Sequence, residues 1–301
     1  MKSLVLAFAI LALAPLGQPQ REVCFTIDDL PWISAVPLGI DEKEKLTAKL
    51  LAFLQAHRIP AVGFVIEGNL QRDGAADPRQ VGLLRRWRDA GFELGNHTFS
   101  HRDFHTTPLA TFQQEVVRGE QETTKLLGER PRYFRHPMLH TGGTIEDKRG
   151  LEAFLATRGY RVAPVTIDNA DYIFARAYDR APEKQRPVVL DAYIAYMTSV
   201  VEYYERQSQL IVGRDVRQTL LLHANRLNAD AMDRLARMFE KRGYAFITLA
   251  RALEDPAYVT NDTYTGPSGI SWLHRWALTQ GKRGVFAGEP TVPDWIERAA
   301  K

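Results

Sequence analysis

Short apolar runs alternate with longer segments of helical periodicity along most of this chain. In the segment 41–58, for example, Leu46, Leu50 and Leu54 recur at the spacing that places them on one face of a helix. Strands that alternate with helices in this way form parallel sheets. The pattern therefore predicts an α/β fold, either a (β/α)7 barrel one strand short of the usual eight or an open doubly wound sheet. The predicted strands are 23–28, 62–66, 92–96, 132–135, 162–167, 219–223 and 245–248, and the predicted helices are 41–58, 79–90, 108–128, 145–157 and 228–242.

Two segments depart from this rhythm. Residues 172–215 are long for a single connection and contain a helix at 189–210 rich in Tyr and Ile, so we expect a long helical excursion over one end of the barrel. Residues 256–301 carry Trp272 and Trp276 among Gly and Pro residues. We interpret this tail as a C-terminal extension packed on the barrel, which leaves 21–255 as the main domain.

The first 20 residues have the pattern of a signal peptide. A positive start at Met1 and Lys2 precedes an apolar run from Leu4 to Leu13, and small residues follow it. The run is too short for a permanent membrane helix. We therefore expect a secreted or periplasmic protein with no integral membrane segment after cleavage.

The composition narrows the chemistry. The chain is 45% hydrophobic with a net charge of +3 and no dense basic block, which is typical of a globular protein and disfavours nucleic-acid binding. Cys24 is the single cysteine, predicted to be buried in the first strand, so an intramolecular disulfide and a cysteine metal site are both excluded. Any metal must be held by histidines and carboxylates.

Polar or ionisable side chains stand where the predicted strands end. The carboxyl ends of parallel strands meet on one face of a barrel, so we expect these side chains to lie together. They are Asp28 and Asp29, His97 with His101, Arg135, Asp168 and His223.

His97 and His101 are four residues apart, which on a helical turn places both rings on one face and suits a shared metal. Asp28 and Asp29 supply a carboxylate ligand and a spare. Adjacent acids repel each other unless a cation lies between them or an arginine neutralises one, and Arg135 is placed to do so.

Other histidines are weaker candidates. His136 and His140 are also four apart, but Pro137 lies between them, so this segment is predicted to be a loop. His105 could lie near His101. We interpret these three histidines as surface or substrate-contacting residues rather than ligands.

His223 ends the leucine run 220–222 and is predicted to be half buried. Asp168 ends the preceding strand, so an oriented His–Asp pair between the two is the sharper hypothesis. Asp171 is the weaker candidate for a partner and is interpreted as structural.

Five segments resemble, in chain order, the motifs of the polysaccharide deacetylases, the NodB-homology group or carbohydrate esterase family 4. The segments are 26–31 (T-F-D-D-G-P in the family), 97–101 (H-S/T-x-x-H), 135–138 (R-x-P-Y/F), 168–172 (D-x-x-D-W) and 221–223 (L-x-H). The resemblance spans roughly residues 23–250. It implies a distorted barrel and metal-dependent removal of acetyl groups from a glycan such as peptidoglycan or a chitin-like oligosaccharide, with N-acetyl favoured over O-acetyl.

The resemblance also implies a role for individual residues. Asp29, His97 and His101 would bind one divalent metal, zinc in the first place, with Co2+, Ni2+ or Fe2+ as alternatives. The further implied roles are Asp28 as base, Arg135 as its holder, His223 as general acid tuned by Asp168, and Met138, Trp32 and Tyr172 as substrate-binding residues.

The chain departs from the family pattern at Leu30, Met138, Leu139 and Tyr172, where the family has Gly, an aromatic residue, Gly and Trp. These positions are expected in substrate-facing loops, so they bear on the substrate rather than on the metal.

Two competing functions stay open. One is a glycan-binding protein without turnover, which the complete set of acid, base and ligands argues against. The other is hydrolysis of a small non-sugar amide. An open groove lined by Trp32 and the tail aromatics would favour a glycan, and a closed pocket would favour a small amide.

Overall fold

The computed structural model describes residues 21–301, and the predicted signal peptide lies outside them. The strands are β1 (Arg21–Leu30), β2 (Val62–Val65), β3 (Gln71–Arg72), β4 (Ala75–Ala76), β5 (Glu93–Asn96), β6 (Tyr133–Phe134), β7 (Arg161–Val162), β8 (Gln218–His223) and β9 (Tyr244–Phe246). The helices are α1 (Ile40–Ala56), α2 (Pro78–Asp89), α3 (Leu109–Arg118), α4 (Gln121–Leu127), α5 (Ile145–Thr157), α6 (Asp171–Arg180), α7 (Arg186–Val212), α8 (Arg226–Lys241), α9 (Leu249–Ala252), α10 (Trp272–Thr279) and α11 (Asp294–Ala299).

All seven predicted strands are present and form one parallel sheet in the order β7-β6-β5-β2-β1-β8, with β9 beside the start of β1. The short β3–β4 hairpin stands apart from this sheet. Beyond β7, Ile167 forms a parallel bridge with Leu220 in β8, so the segment 161–167 touches β6 at one end and β8 at the other. This segment curls the sheet into a distorted barrel, as predicted, rather than an open sheet.

The central strand β1 explains where the site lies. Val23, Cys24, Phe25 and Ile27 are fully buried, as expected for a parallel strand covered on both faces. In the register between β1 and β8, Asp28 pairs with His223. Two residues that the sequence places nearly 200 positions apart are therefore level at one mouth of the barrel.

The predicted helix at 108–128 is divided into α3 and α4 near Gly119. A side chain at Gly119 would put its Cβ 2.4 Å from the backbone carbon of Thr98, so only glycine lets this break pack against the loop after β5. Helix α6 was not predicted, because its residues fall inside the segment interpreted as an excursion.

The long helix α7 and the C-terminal extension are attached to each other and to the barrel. The Tyr203 hydroxyl lies 2.9 Å from His274 Nε2 and donates to the carbonyl of Val285. The backbone N–H of Trp272 donates to the carbonyl of Val165 at 2.7 Å, next to the barrel mouth. Within residues 21–301, no helix has the length and apolarity needed to cross a bilayer.

Candidate active site

Three potential metal ligands meet at the ends of β1 and β5. Asp29 Oδ1 lies 3.5 Å from His97 Nε2 and 3.6 Å from His101 Nε2. Tetrahedral zinc with ligand bonds of about 2.1 Å needs ligand atoms about 3.4 Å apart, so the spacing fits a shared ion. Asp29 Oδ1 is also buried without a hydrogen-bond partner, and such an atom is costly unless a cation satisfies it. The residues present therefore fit a divalent metal.

The predicted helical turn at 97–101 is wrong. Thr98 and His101 have positive φ angles, 68° and 55°, so the segment is a loop that leaves β5 with left-handed residues. The Asn96 side chain stabilises this loop by accepting a hydrogen bond from the Thr98 N–H at 2.7 Å. The two rings still come together, with centroids 4.9 Å apart, through loop geometry rather than helical periodicity.

The main chain of Arg135 orients the His97 ring. Its Nδ1 lies 2.8 Å from the carbonyl oxygen of Arg135, an acceptor, so Nδ1 must carry the proton. The lone pair is then on Nε2, which faces Asp29. A backbone carbonyl in this position is the usual support of a metal-binding histidine.

Asp28 faces the same space but is held by Arg135. Its Oδ2 lies 3.5 Å from the Arg135 guanidinium and 3.7 Å from His97 Nε2. Arg135 is fully buried, donates to Thr26 Oγ1 at 2.8 Å and lies over the Phe64 ring. Burial lowers the pKa of Arg135, and the charge of Asp28 opposes that shift.

The metal-ligand cluster has perturbed ionisation. Burial favours the neutral form of Asp29, but the electrostatic influence of the surrounding imidazoles of His97, His223 and His101 outweighs it and lowers the pKa of the carboxyl. Burial, together with the charge of His97, lowers the pKa of His101 to about 4. Near neutral pH the cluster therefore holds an ionised carboxylate beside a neutral imidazole, the states that bind metal.

His223 pairs with Asp171, so the prediction of an Asp168–His223 pair is wrong. His223 Nδ1 lies 2.7 Å from Asp171 Oδ1, and the His223 N–H donates to Asp171 Oδ2 at 2.9 Å. Asp171 is fully buried and also accepts from the Asn228 side chain. Burial works against protonation of His223, but the charge of Asp171 and its hydrogen bond overcome it and raise the pKa to about 10.

The backbone path after β7 explains the error. Ile167 is level with Leu220, and the Asn169 side chain donates to the carbonyl of Leu221, so Asp168 lies short of His223. The chain then turns into α6, whose first residue Asp171 reaches His223. Asp168 instead accepts from the Asn169 N–H and lines the cavity, where burial raises its pKa to about 7.

One cavity of about 1010 Å3 is lined by Asp28, by the potential metal ligands Asp29, His97 and His101, and by Asp168 and His223. Met138 and Tyr172 lie on its rim with about 44% and 45% of their surface exposed, and the Tyr172 ring lies 6.3 Å from that of His223. Part of the wall was not predicted. It comes from α7 and the C-terminal extension, and consists of Tyr196, Val200, Tyr204, Glu289 and Pro290.

Residues 16–151 match the family model described as polysaccharide deacetylase. Over this segment the chain is similar to the polysaccharide deacetylase family. The matched segment includes Asp28, Asp29, His97, His101 and Arg135. Asp171 and His223 lie beyond it.

Named relatives are similar to part of the chain, and a solved structure is similar in fold. A chitin deacetylase from Colletotrichum lindemuthianum is 28% identical over 52% of this chain and 58% of its own length. A peptidoglycan-N-acetylglucosamine deacetylase from Bacillus cereus is 24% identical over 51% of this chain and 47% of its own. The chain thus spans about half the length of these relatives. A crystal structure of a mutant family 4 pseudoenzyme with restored activity has a similar fold, with a TM-score of 0.51 at 15% identity over 78% of this chain and 68% of that protein.

Trp32 does not line the cavity, contrary to prediction. It is 95% buried in the main core, because the chain turns inward after β1. The tail aromatics are also absent from the wall in the described part of the chain. Trp272 and Trp276 are buried instead, and they anchor the extension.

The weaker histidines form a separate group. His105 stacks on His140 with ring centroids 3.8 Å apart, and His140 Nδ1 lies 2.7 Å from Asp103 Oδ1. The rings are parallel within 7°, and a metal must lie in the plane of each imidazole that binds it, so the two rings as placed cannot share an ion. His136 is buried, and burial lowers its pKa well below the usual value.

Proposed function

We propose that this protein is a metal-dependent hydrolase that removes acetyl groups, N-acetyl rather than O-acetyl, from a glycan such as peptidoglycan or a chitin-like oligosaccharide. The observation that carries the proposal is one cavity in which a three-ligand cluster, a carboxylate held by a buried arginine and a charged histidine all meet. The names of the relatives support the acetyl group and the glycan. Residues 21–255 would form the deacetylase domain.

Asp29, His97 and His101 would hold the metal, zinc in the first place and Co2+, Ni2+ or Fe2+ as alternatives. Bound there, a divalent metal would polarise the acetyl carbonyl and lower the pKa of a water molecule. Two imidazoles and one carboxylate would supply three protein ligands, the number found in catalytic rather than structural zinc sites.

Asp28 would act as the general base and take a proton from the attacking water. The guanidinium of Arg135 lies 3.5 Å from Asp28 Oδ2 and holds the carboxylate in position. The backbone N–H of Met138 would donate to the oxygen that becomes negative as the carbonyl is attacked. Met138 lines the cavity and has a φ of 54°, an uncommon conformation at a position facing the site.

His223 would donate a proton to the departing nitrogen, with Asp171 as the residue that orients it. An amine leaves poorly without a proton, whereas an alcohol needs less assistance. A histidine whose pKa is raised to about 10 carries that proton at neutral pH, which supports the N-acetyl preference.

The cavity also supports a sugar substrate over a small amide. Its volume is at the upper end of the range for drug-sized ligands, so a small amide would leave most of it empty. The signal-like residues 1–20 support action outside the cytoplasm, as a secreted or periplasmic enzyme on a cell-wall or extracellular glycan.

Acetate release tests the proposal. The purified protein is incubated with chitooligosaccharides, peptidoglycan, poly-N-acetylglucosamine and acetylated xylan, before and after chelation and after metal is restored. We expect release from at least one amino-sugar glycan, lost on chelation and recovered with metal. The matched control is Asp28→Asn. Binding of these glycans without any release would instead favour the glycan-binding alternative.

A further inference from the structure

A second cavity of about 500 Å3 adjoins the catalytic cavity. The two cavities share Ile33, Tyr172 and Arg176 in their walls. The second one runs along α6 towards Ala300 and Lys301. A substrate longer than one sugar therefore has a path out of the catalytic cavity past these three side chains.

Tyr172 lies between His223 and Arg176. Its ring is 6.3 Å from the His223 ring, and the guanidinium carbon of Arg176 lies 5.7 Å above it. Across residues 21–301, the Arg176 side chain makes no ion pair and no hydrogen bond. The nearby arginines do have partners: Arg180 donates a hydrogen bond to the carbonyl of Ala300, and Arg226 forms an ion pair with Glu42.

Arg176 is a cation in the wall of both cavities. The other charged residues of the second cavity are Arg180, Asp179 and Lys301. Asp179 accepts hydrogen bonds from Ser34 and Ala35, and its charge is balanced by Arg226 at 3.5 Å. Arg176 has no such partner among the described residues, so its guanidinium can meet a negatively charged group on a substrate that extends from the catalytic cavity.

We propose that Tyr172 and Arg176 form a subsite for a carboxylate-bearing sugar next to the sugar that loses its acetyl group. The exposed Tyr172 ring offers a flat surface to a sugar ring, and the planar guanidinium matches a carboxylate with two parallel hydrogen bonds. This inference rests on the proposed function and narrows it, because it separates glycans that contain acidic sugars from neutral chitin-like chains.

The test compares two substrates that differ only in charge. One is an oligosaccharide in which N-acetylglucosamine alternates with a carboxylate-bearing sugar, and the other is its methyl ester. The enzyme should prefer the acid through a lower KM. Arg176→Gln should reduce the acid-over-ester ratio of kcat/KM about tenfold, since a hydrogen bond to a charged group contributes about that much. Raised salt should weaken the preference.

The control is Arg85→Gln. Arg85 is also exposed, lies on a helix and lines neither cavity. This variant should keep the wild-type ratio. An unchanged ratio in Arg176→Gln, or equal losses on acid and ester, would overturn the subsite.

Failure of the proposed function gives a different result. The wild-type protein would then release acetate from neither substrate. Calorimetric binding of the same acid and ester to the wild type and to Arg176→Gln would still decide the inference. An affinity difference present in the wild type and lost in the variant supports the subsite, and its absence in both contradicts it.

Discussion

Replacing Asp171 with asparagine would remove the charge that keeps His223 protonated while leaving the side-chain shape almost unchanged. The carboxylate lies 2.7 Å from the ring, and against burial its charge and hydrogen bond, together with the charges of Asp29 and Asp28, raise the pKa of His223 from 6.5 to about 10. At about 1.36 kcal/mol per pKa unit, the stabilisation of the charged ring is several kcal/mol. With Asp171 neutral, burial dominates and the pKa of His223 falls.

The fall in the pKa of His223 sets the direction of the pH effect. A general acid works below its pKa, so a lower pKa of His223 moves the basic limb of the kcat/KM profile to lower pH. In Asp171→Asn we expect that limb to move down by about two pH units or more. The rate on an acetamide substrate at pH 8 should fall about twofold for a shift of two units, and by a further factor of about ten for each additional unit.

The assay is kcat/KM for acetate release from pH 5 to pH 10, with metal content and thermal unfolding measured on each variant. Asp168→Asn is the control, since Asp168 contacts Asn169 rather than His223. It should leave the basic limb in place. A limb that moves in Asp168→Asn and stays in Asp171→Asn would refute the assignment of the partner.

Four further outcomes are expected. Arg135→Gln should lower the free energy of unfolding by about 3–5 kcal/mol, because Asp28 is left buried without its cation; an unchanged denaturant midpoint would contradict this. His223→Ala should cost an acetamide about 10² to 10⁴ in rate and an aryl acetate much less, and equal losses would point to a packing role. Gly119→Ala should weaken metal affinity in a competition titration, since its Cβ would displace the loop that carries His101, and unchanged affinity would contradict this. The mature protein from its host should begin between residues 15 and 21, and a retained first methionine would refute secretion.

Much of the fold could be predicted because parallel strands have a simple signature. Each apolar run of the barrel was visible, and the polar residue after each run marked the mouth. Because the carboxyl ends of parallel strands share one face, the sequence alone predicts that Asp29 and His97 lie together. In the structure, the register between β1 and β8 places Asp28 level with His223, as this rule predicts.

The failures have physical causes in loops and turns. The spacing of four residues between His97 and His101 suggested a helix. In the structure a loop with positive φ angles at Thr98 and His101 brings the two rings together instead, and such a loop has no periodic pattern in the sequence. Asp168 ended a visible strand, whereas Asp171 acts from the start of a helix after a turn whose direction the pattern does not encode. Trp32 was expected to line a substrate groove, but the chain turns inward after β1 and buries it in the core.

The central claim is that Asp29 binds a metal and its neighbour Asp28 is the base. Both side chains are buried in the same cavity, so Asp28→Asn and Asp29→Asn each remove one negative charge at almost the same position. The decisive measurement is the metal content of Asp28→Asn and Asp29→Asn by mass spectrometry, together with acetate release. We predict that Asp28→Asn keeps its metal and loses turnover, while Asp29→Asn loses metal. Metal lost from Asp28→Asn and retained in Asp29→Asn would contradict the account.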